Sequence, residues 1–329
     1  MPRHRGEDQA PAESYSDRQE AQDPAETDQA SSLPDKIARY SGAKERSEAM
    51  RGYLGTLTTP AAVKARLKLS DCGNYLHFRH YFTVGKVLLH AACFCRQHLI
   101  CPLCAIRRGS KTLVAYLERF QVIQAERTEL RPFMLTFTVK NGPDLAERFK
   151  HLRDSFQRLQ DRRRCFLKGK RGSPWTEFVR VVGAVGSYET TNSGKGWHPH
   201  LHMVGMCETA PDQQSLRNEW EAITGDSFMV DVRPFNPEQD PATGFMEVLK
   251  YALKFSTLSL HDNWEAAQVL ARARLLFSIG CFRGVEVPEA LTDEPLEELP
   301  YFDLFYRYFH GLGYSLQSPD ATPAVARSS

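Results

Sequence analysis

Long apolar runs are missing from this 329-residue chain, and their absence argues against membrane-spanning segments. No uninterrupted apolar stretch approaches the ~20 residues of a transmembrane helix. The polar N-terminus also lacks the apolar segment of a secretory signal. No internal repeat is evident. We therefore expect a cytoplasmic globular protein without a membrane partner.

Basic side chains are scarce at the two ends of the chain. Residues 1–34 hold three Lys/Arg and eight Asp/Glu, and residues 285–329 hold two Lys/Arg and eight Asp/Glu. Residues 1–34 also hold one aromatic residue, Tyr15. Residues 35–284 therefore carry 37 basic and 24 acidic side chains, although the net charge of the whole chain is only +2. This distribution predicts a disordered acidic N-terminal tail and a basic core that binds a polyanion.

Three histidines within five residues form the most informative stretch: His198, His200 and His202. Strand side chains alternate between faces, so His200 and His202 share one face, while Leu201 and Met203 point to the other. A strand beginning at residue 199 or 200 can place two imidazoles on one divalent cation. The alternative is one histidine paired with a carboxylate and two solvated ones.

A third ligand is predicted at Glu189. The near-continuous apolar run over 178–189 indicates a central strand covered on both faces. A glycine-containing turn over 191–196 then leads into the histidine strand and forms a hairpin. Glu189 ends the first strand of that hairpin. The alternative interpretation is a solvated residue at a strand end.

A second candidate cluster lies downstream, on a predicted helix. Glu247 and Tyr251 are four residues apart and Lys254 follows three residues later, so a carboxylate, a phenol and an ammonium group line one helix stripe. Nearby cations and a divalent metal can polarise a phosphate that the tyrosine attacks. Alone, this stripe is more often an ordinary helix face. Its position after the histidine strand favours a catalytic role.

The cysteines are clustered in a way that favours a metal over disulfides. Four of the eight lie between Cys93 and Cys104, and Cys101 and Cys104 have zinc-knuckle spacing. A tetrahedral structural zinc site needs four ligands. The predicted set is Cys72, Cys95, Cys101 and Cys104, with Cys93 or His98 as substitutes. Buried free cysteines are the alternative.

Two further runs have candidate roles in binding DNA. The first is basic, lies at the end of a predicted helix, and consists of Arg162, Arg163, Arg164, Lys168, Lys170 and Arg171. It can contact DNA phosphates or complement the helix dipole as a solvated terminus. The second is the aromatic run 301–309. Core packing of an amphipathic helix is favoured there, with stacking on single-stranded bases as the alternative.

The order of elements indicates an α+β fold with helices packed against one face of a sheet. Strands are expected over 131–140, 178–189, 199–204 and 228–233. Helices are expected over 105–127, 144–165, 216–223, 244–256, 264–278 and 301–310. The predicted segments are an acidic tail (1–34), a helical and Cys-rich zinc-binding lobe (35–128), a core (129–280), a C-terminal helical segment (281–316) and a second tail (317–329).

Together these motifs resemble those of the HUH endonucleases, and in particular the plasmid rolling-circle replication initiators (Rep proteins) with a single catalytic tyrosine. Four pieces match in order within residues 67–260. They are the Cys-Pro-x-Cys segment followed by Arg107 and Arg108, the strand 133–141, the histidine motif 196–202, and the Glu-x-x-Lys-Tyr motif that ends at Tyr251. The last two are specific in combination, whereas either alone is not.

The resemblance implies a central antiparallel sheet of the ferredoxin-like or RRM-like kind, with the histidines on its middle strand. His200 and His202 would bind Mg²⁺ or Mn²⁺, and the Cys-rich region would bind Zn²⁺. Tyr251 would attack a phosphate of single-stranded or extruded plasmid origin DNA, giving a 5′-phosphotyrosine link and a free 3′-hydroxyl. Glu247 would activate the group that ends the cycle. Host helicase and polymerase would be further partners.

One position separates this chain from two-tyrosine relatives, which carry a second tyrosine four residues after the first. Phe255 stands there, and a phenyl ring cannot form a phosphotyrosine. This disfavours a two-tyrosine transposase but leaves two alternatives, a single-tyrosine HUH transposase and a non-catalytic zinc-dependent DNA-binding regulator. His198 stays open as a third ligand, a phosphate contact or a residue at the strand start.

Overall fold

The computed structural model describes residues 32–192, 194–236, 238, 240–249 and 258–317. The helices are α1 (Leu33–Gly55), α2 (Pro60–Leu69), α3 (Pro102–Glu126), α4 (Leu145–Leu167), α5 (Gln213–Thr224), α6 (Pro241–Leu249) and α7 (Leu260–Leu270). The strands are β1 (Tyr75–Tyr81), β2 (Lys86–Ala92), β3 (Arg131–Thr138), β4 (Val181–Asn192), β5 (Trp197–Cys207), β6 (Val230–Pro234), β7 (Leu276–Ile279), β8 (Phe302–Phe309) and β9 (Gly313–Gln317).

Side-chain caps fix several helix starts. Asp144 accepts a hydrogen bond from the Glu147 N–H at the start of α4, at 2.9 Å. Helix α5 ends at Gly225, whose φ of 75° is a left-handed conformation that glycine adopts without a Cβ clash. Helix α3 starts at Pro102, and its N-cap residue, Cys101, makes no side-chain capping bond. Over the described ranges, no helix has the length and apolarity needed to cross a membrane.

The central sheet has five strands in the order β6-β3-β5-β4-β7, and every neighbouring pair is antiparallel. The α+β fold with an antiparallel sheet is confirmed. Strand β5, which carries the histidines, is the middle strand of the five, as the resemblance implied. It begins at Trp197, slightly before the predicted start, because the β4–β5 ladder extends to a pair between Asn192 and Trp197.

Helices pack on both faces of this sheet, and not on the single face expected. On one face, α4, α5 and α7 cover a core that includes Leu201 and Met203. On the other face, α3 and α6 cover a second core that includes Val204 and Met206. The reason is the composition of β5, which is apolar on both faces after residue 203. His200 and His202 lie on the second face, just before that covered part.

A separate four-stranded sheet, in the order β2-β1-β8-β9, belongs to the Cys-rich lobe. The predicted helix over 301–310 is therefore wrong, because this stretch is the strand β8. Its inward residues Leu304, Tyr306 and Tyr308 alternate at period two and pack against the lobe core. Aromatic residues favour strands. The predicted helical C-terminal segment thus contributes two strands to the lobe.

The lobe and the central sheet are joined by α3 and α7. The N-terminal part of α3 packs in the lobe core and its later part packs on the central sheet. On α7, Ala267 belongs to the lobe core and Leu270 to the core of the central sheet. The helix predicted over 264–278 is shorter than expected, because β7 begins at Leu276 and pairs with β4.

Candidate functional site

The β4–β5 hairpin brings one carboxylate and two imidazoles together. Glu189 pairs directly with His200 across the hairpin, and Ser187 pairs with His202. Opposed residues project to the same face of a sheet, so all of these side chains share one face. Glu189 Oε2 lies 3.2 Å from His200 Nε2 and 3.9 Å from His202 Nε2. The residues predicted as one ligand set are therefore adjacent.

The imidazoles of His200 and His202 are both oriented by contacts at Nδ1, the ring nitrogen that does not face Glu189. His200 Nδ1 lies 3.2 Å from the backbone oxygen of His198, and His202 Nδ1 lies 2.9 Å from Thr136 Oγ1 on β3. With a proton on each Nδ1, the carbonyl and the hydroxyl accept these hydrogen bonds. Both Nε2 atoms then present lone pairs toward Glu189. Metal-binding histidines are commonly fixed by such contacts.

The donor set fits a divalent cation. The ligand atoms of Glu189, His200 and His202 all lie within 4.8 Å of one another. The Glu189 side chain is only 2% exposed, and a buried carboxylate is costly without a compensating charge. Carboxylate oxygen suits Mg²⁺ and Mn²⁺, while imidazole suits later transition metals. The group can therefore hold a divalent cation, and the identity of the metal is undetermined.

His198 lies beside this group without joining it. Its ring centroid is 5.4 Å from that of His200, and its Nδ1 contacts Asn141 Oδ1 in the loop after β3. Burial, together with the neighbouring His200, lowers the pKa of His198 to about 4. The imidazole is therefore neutral at physiological pH, which weakens the expectation of an ionic phosphate contact.

Helix α6 ends beside the histidines. Ser187, the residue opposite His202, donates a hydrogen bond to the backbone oxygen of Val248. Glu247, in the same last turn, is partly exposed and its Oε1 lies 3.7 Å from an Arg233 nitrogen. Glu247 therefore lies in the helical turn that contacts the histidine hairpin through Val248. Tyr251 and Lys254 lie outside the described residues.

Two residues of β6 near the site, Asp231 and Arg233, were not predicted from the sequence. Asp231 pairs with Thr136, which pairs in turn with His202, so these residues form one row across the sheet. Arg233 binds Asp231 Oδ2 at 2.6 Å and is 56% exposed, so an anion can reach it. Their alternation on β6 was visible, but only the register with β3 places Asp231 in the row of His202 and Arg233 in the row of Val204.

The four cysteines predicted as zinc ligands form one cluster. Their sulfur atoms lie within 4.8 Å of one another, and the Cys72–Cys101, Cys72–Cys104 and Cys95–Cys104 separations are 3.5, 3.6 and 3.5 Å. Disulfide sulfurs would be about 2 Å apart. A tetrahedral zinc with bonds of about 2.3 Å requires sulfurs about 3.8 Å apart. The cluster can therefore hold a metal ion.

The cluster is supported by a buried lysine that was not predicted. Lys44 on α1 is 1% exposed and donates to the Cys72 carbonyl oxygen at 2.8 Å and to Glu48 at 2.6 Å. Contact with the Cys101 sulfur and burial raise the pKa of the Cys72 thiol. Contact with Cys104 lowers the pKa of Cys101. The substitute ligand Cys93 is exposed and lies outside the cluster.

The predicted basic run lies at the C-terminal end of α4, away from the histidines. Arg163 donates hydrogen bonds to the backbone oxygens of Val181 and Val182, at 3.0 and 3.2 Å. At about 3.3 Å per residue along β4, Val181 is about 26 Å from Glu189. Arg163 therefore anchors the start of β4. The exposed members of the run form a surface at the opposite end of the sheet from the histidine group.

A family model described as "Replication protein" matches residues 86–294, about two thirds of the chain. The chain belongs to the replication-protein family. The matched range includes the histidine hairpin, helix α6 and three of the four clustered cysteines. The resemblance of the sequence motifs to those of replication initiators is confirmed at the level of the family.

Two curated relatives of this replication-family chain are each named "Protein rep". One, from Bacillus sp., is 30% identical over 163 residues, which are 49% of this chain and 48% of the relative. The other, from Bacillus amyloliquefaciens, is 28% identical over 163 residues, which are 49% of this chain and 43% of the relative. The match thus spans less than half the length of each relative. No solved structure gives a significant match.

Proposed function

We propose that this chain initiates rolling-circle replication of a plasmid by nicking one strand of the origin DNA. The observation that carries the proposal is the group of Glu189, His200 and His202 beside the end of α6, in a member of the replication-protein family. The two relatives named "Protein rep" support a role in replication. The buried carboxylate and the oriented imidazoles favour catalysis over simple DNA binding.

In this proposal, Glu189, His200 and His202 hold Mg²⁺ or Mn²⁺. A divalent cation at this position supplies Lewis-acid polarisation of the scissile phosphate. Thr136 and the His198 carbonyl keep both Nε2 atoms directed at Glu189. Arg233, whose side chain is 56% exposed, would meet a phosphate that arrives from solvent.

Tyr251 is the proposed nucleophile, two residues after the end of α6. Its phenol oxygen forms a bond to phosphorus while the bond to the 3′ oxygen breaks. The phenol proton passes to a base, and the 3′ oxygen leaves as a hydroxyl after taking a proton. The products are a 5′-phosphotyrosine link and a 3′-hydroxyl that a host polymerase extends, after a host helicase has opened the duplex. Lys254 would help to stabilise the phosphate charge.

Glu247 is proposed to end the cycle by activating water or a second attacking group. Its carboxylate is partly exposed near Arg233, so it can meet an incoming nucleophile. Glu247→Gln should still nick the origin but should release or rejoin strands poorly, since the amide cannot accept a proton. Gel analysis of nicked and closed circles checks this. Complete loss of nicking would instead assign Glu247 to activation of the tyrosine.

The clustered cysteines are proposed to bind one structural Zn²⁺. The site would tie the start of α3 (Cys101 and Cys104) to the segment before β1 (Cys72) and the loop after β2 (Cys95). Structural zinc in such a site contributes directly to folding. The exposed residues of the basic run are proposed to contact the phosphates of the single-stranded or hairpin origin DNA. His198, which is neutral, is proposed to contact the DNA by a hydrogen bond and not by charge.

The test uses a supercoiled plasmid that carries the origin linked to this gene. Wild-type protein should nick it with Mg²⁺ or Mn²⁺, and Glu189→Gln, which keeps the shape but removes the charge, should not. Glu129→Gln, a partly exposed glutamate remote from the histidines, is the matched control. Specific binding of origin DNA without cleavage by the wild type would support the regulator instead.

A further inference from the structure

Within the described part of the chain, one face of the sheet of the Cys-rich lobe does not pack against the lobe core. On β8, Leu304, Tyr306 and Tyr308 point into the lobe, so the intervening residues point outward. We define the outer face by seven outward residues of β1 and β8: Tyr75, His77, Arg79, Asp303, Phe305, Arg307 and Phe309. They are paired across the two strands as Tyr75 with Arg307, His77 with Phe305, and Arg79 with Asp303.

Three aromatic rings on the outer face are exposed to solvent. Tyr75, Phe305 and Phe309 are 44%, 42% and 38% exposed. The His77 ring stacks on Phe305 with centroids 4.1 Å apart and planes inclined by 25°. Clustered exposed rings on a protein surface mark an interaction site. His77 already occupies one face of the Phe305 ring, so a base would stack on the part of the ring that stays exposed.

The charges on the outer face favour a phosphate-bearing partner. Arg307 lies over the Phe309 ring, and Arg79 lies over the ring of Tyr301 at 4.3 Å. The acidic residue in the defined set, Asp303, contacts His77 at 2.7 Å and Arg79 at 3.6 Å. The acidic charge is therefore compensated from β1, and Arg307 remains beside the rings for phosphate contact.

We propose that the outer face binds single-stranded DNA by stacking bases on Tyr75, Phe305 and Phe309. Outward residues on one strand are about 6.8 Å apart, twice the rise per residue of an antiparallel strand. Duplex bases rise only about 3.4 Å per nucleotide, so an unstacked single strand matches this spacing better. Four-stranded sheets with exposed aromatics bind two or three single-stranded bases in this way.

This binding surface goes beyond the proposed nicking reaction. It lies on the lobe sheet, and it uses none of the residues assigned to cleavage. In a rolling-circle initiator, such a surface would retain the displaced strand. Because binding to it requires neither Mg²⁺ nor Mn²⁺, it can be measured without any cleavage. Failure of one proposal therefore leaves the other intact.

The test measures binding of fluorescent oligo(dT), about 20 nucleotides long, by anisotropy without Mg²⁺ or Mn²⁺. Removing one stacking ring, in Phe305→Ala or Tyr75→Ala, should weaken binding about 5- to 150-fold. Arg307→Gln should reduce the slope of log affinity against log salt by about 0.7. Leu67→Ala, which removes a 62% exposed side chain from α2 in the same lobe, should bind as the wild type does.

A second readout uses the unaltered protein, so it does not depend on any variant folding. Oligo(dT) containing 5-iodouracil should photo-cross-link to peptides of β1 and β8. Cross-links confined to other peptides, or affinities of the Phe305 and Tyr75 variants within twofold of wild type, would overturn the proposal. A change of oligomeric state in these variants, with DNA affinity unchanged, would assign the face to a second copy of the chain and would also overturn it.

Discussion

Replacing Thr136 with valine removes the hydroxyl that contacts His202 Nδ1 and leaves the side-chain shape nearly unchanged. The contact is 2.9 Å long, and the His202 side chain is 16% exposed. A buried donor left without its acceptor costs about 1–3 kcal/mol. At 1.4 kcal/mol per factor of ten, we expect Mn²⁺ to bind about 5- to 150-fold more weakly. Losses of about 10- to 100-fold are usual when a residue that orients a metal ligand is removed.

The assay is titration of the protein with Mn²⁺ in the absence of DNA, with free Mn²⁺ followed by electron paramagnetic resonance. Thr138→Val is the matched control, because Thr138 lies on the same strand and face and pairs with His200. Its backbone oxygen accepts from Trp220, and valine leaves that bond in place. The orientation argument is refuted if Thr136→Val binds Mn²⁺ within twofold of the wild type, or if both variants weaken binding equally.

Three further predictions address the zinc site, the basic run and the pH dependence of stability. Elemental analysis should show that Cys104→Ser loses about one zinc per chain, whereas Cys93→Ser keeps its zinc, and Cys104→Ser should also melt at a lower temperature. Equal zinc contents in the two variants would rule out the four-cysteine assignment. Arg163→Ala should lower thermal stability by loosening the start of β4, whereas Arg162→Ala should weaken origin binding and reduce the salt dependence of that binding. Loss of stability in Arg162→Ala and loss of origin binding in Arg163→Ala would contradict the placement of Arg163. Burial alone would raise the pKa of Asp226, but hydrogen bonds to serine, arginine and histidine partners lower it to about 2. The stabilising contribution of Asp226 is therefore present above about pH 4 and is lost as the pH falls toward 2. Over that pH range, the melting temperature of Asp226→Asn should drop less steeply than that of the wild type. Parallel curves of melting temperature against pH for the two proteins would exclude this role.

Both ligand clusters could be predicted because their residues are close in sequence or joined by a tight hairpin. The alternation of β5 sets the shared face of His200 and His202, and the short turn sets the register with Glu189. The Cys101 and Cys104 pair lies in one helical turn. In each case local geometry, and not the tertiary arrangement, brings most of the ligands together.

The remaining features depend on contacts between distant segments. Strand β8 was predicted as a helix because its aromatics satisfy helical spacing as well as alternation, and only pairing with β1, more than 200 residues earlier, favours the strand. Asp231 and Arg233 reach the site through the pairing of β6 with β3. The role of Arg163 depends on the approach of α4 to the start of β4. Sequence patterns do not encode these pairings directly.

The central claim is that Tyr251 attacks origin DNA with the help of a cation held by Glu189, His200 and His202. It is tested most directly by incubating the supercoiled replicon with wild type or Tyr251→Phe, with Mn²⁺ or EDTA, and looking for protein attached to the DNA 5′ end. We predict a covalent adduct that forms with wild type and Mn²⁺ and is absent with EDTA or Tyr251→Phe. An adduct that persists in Tyr251→Phe, or origin binding without any nick by the wild type, would contradict the account.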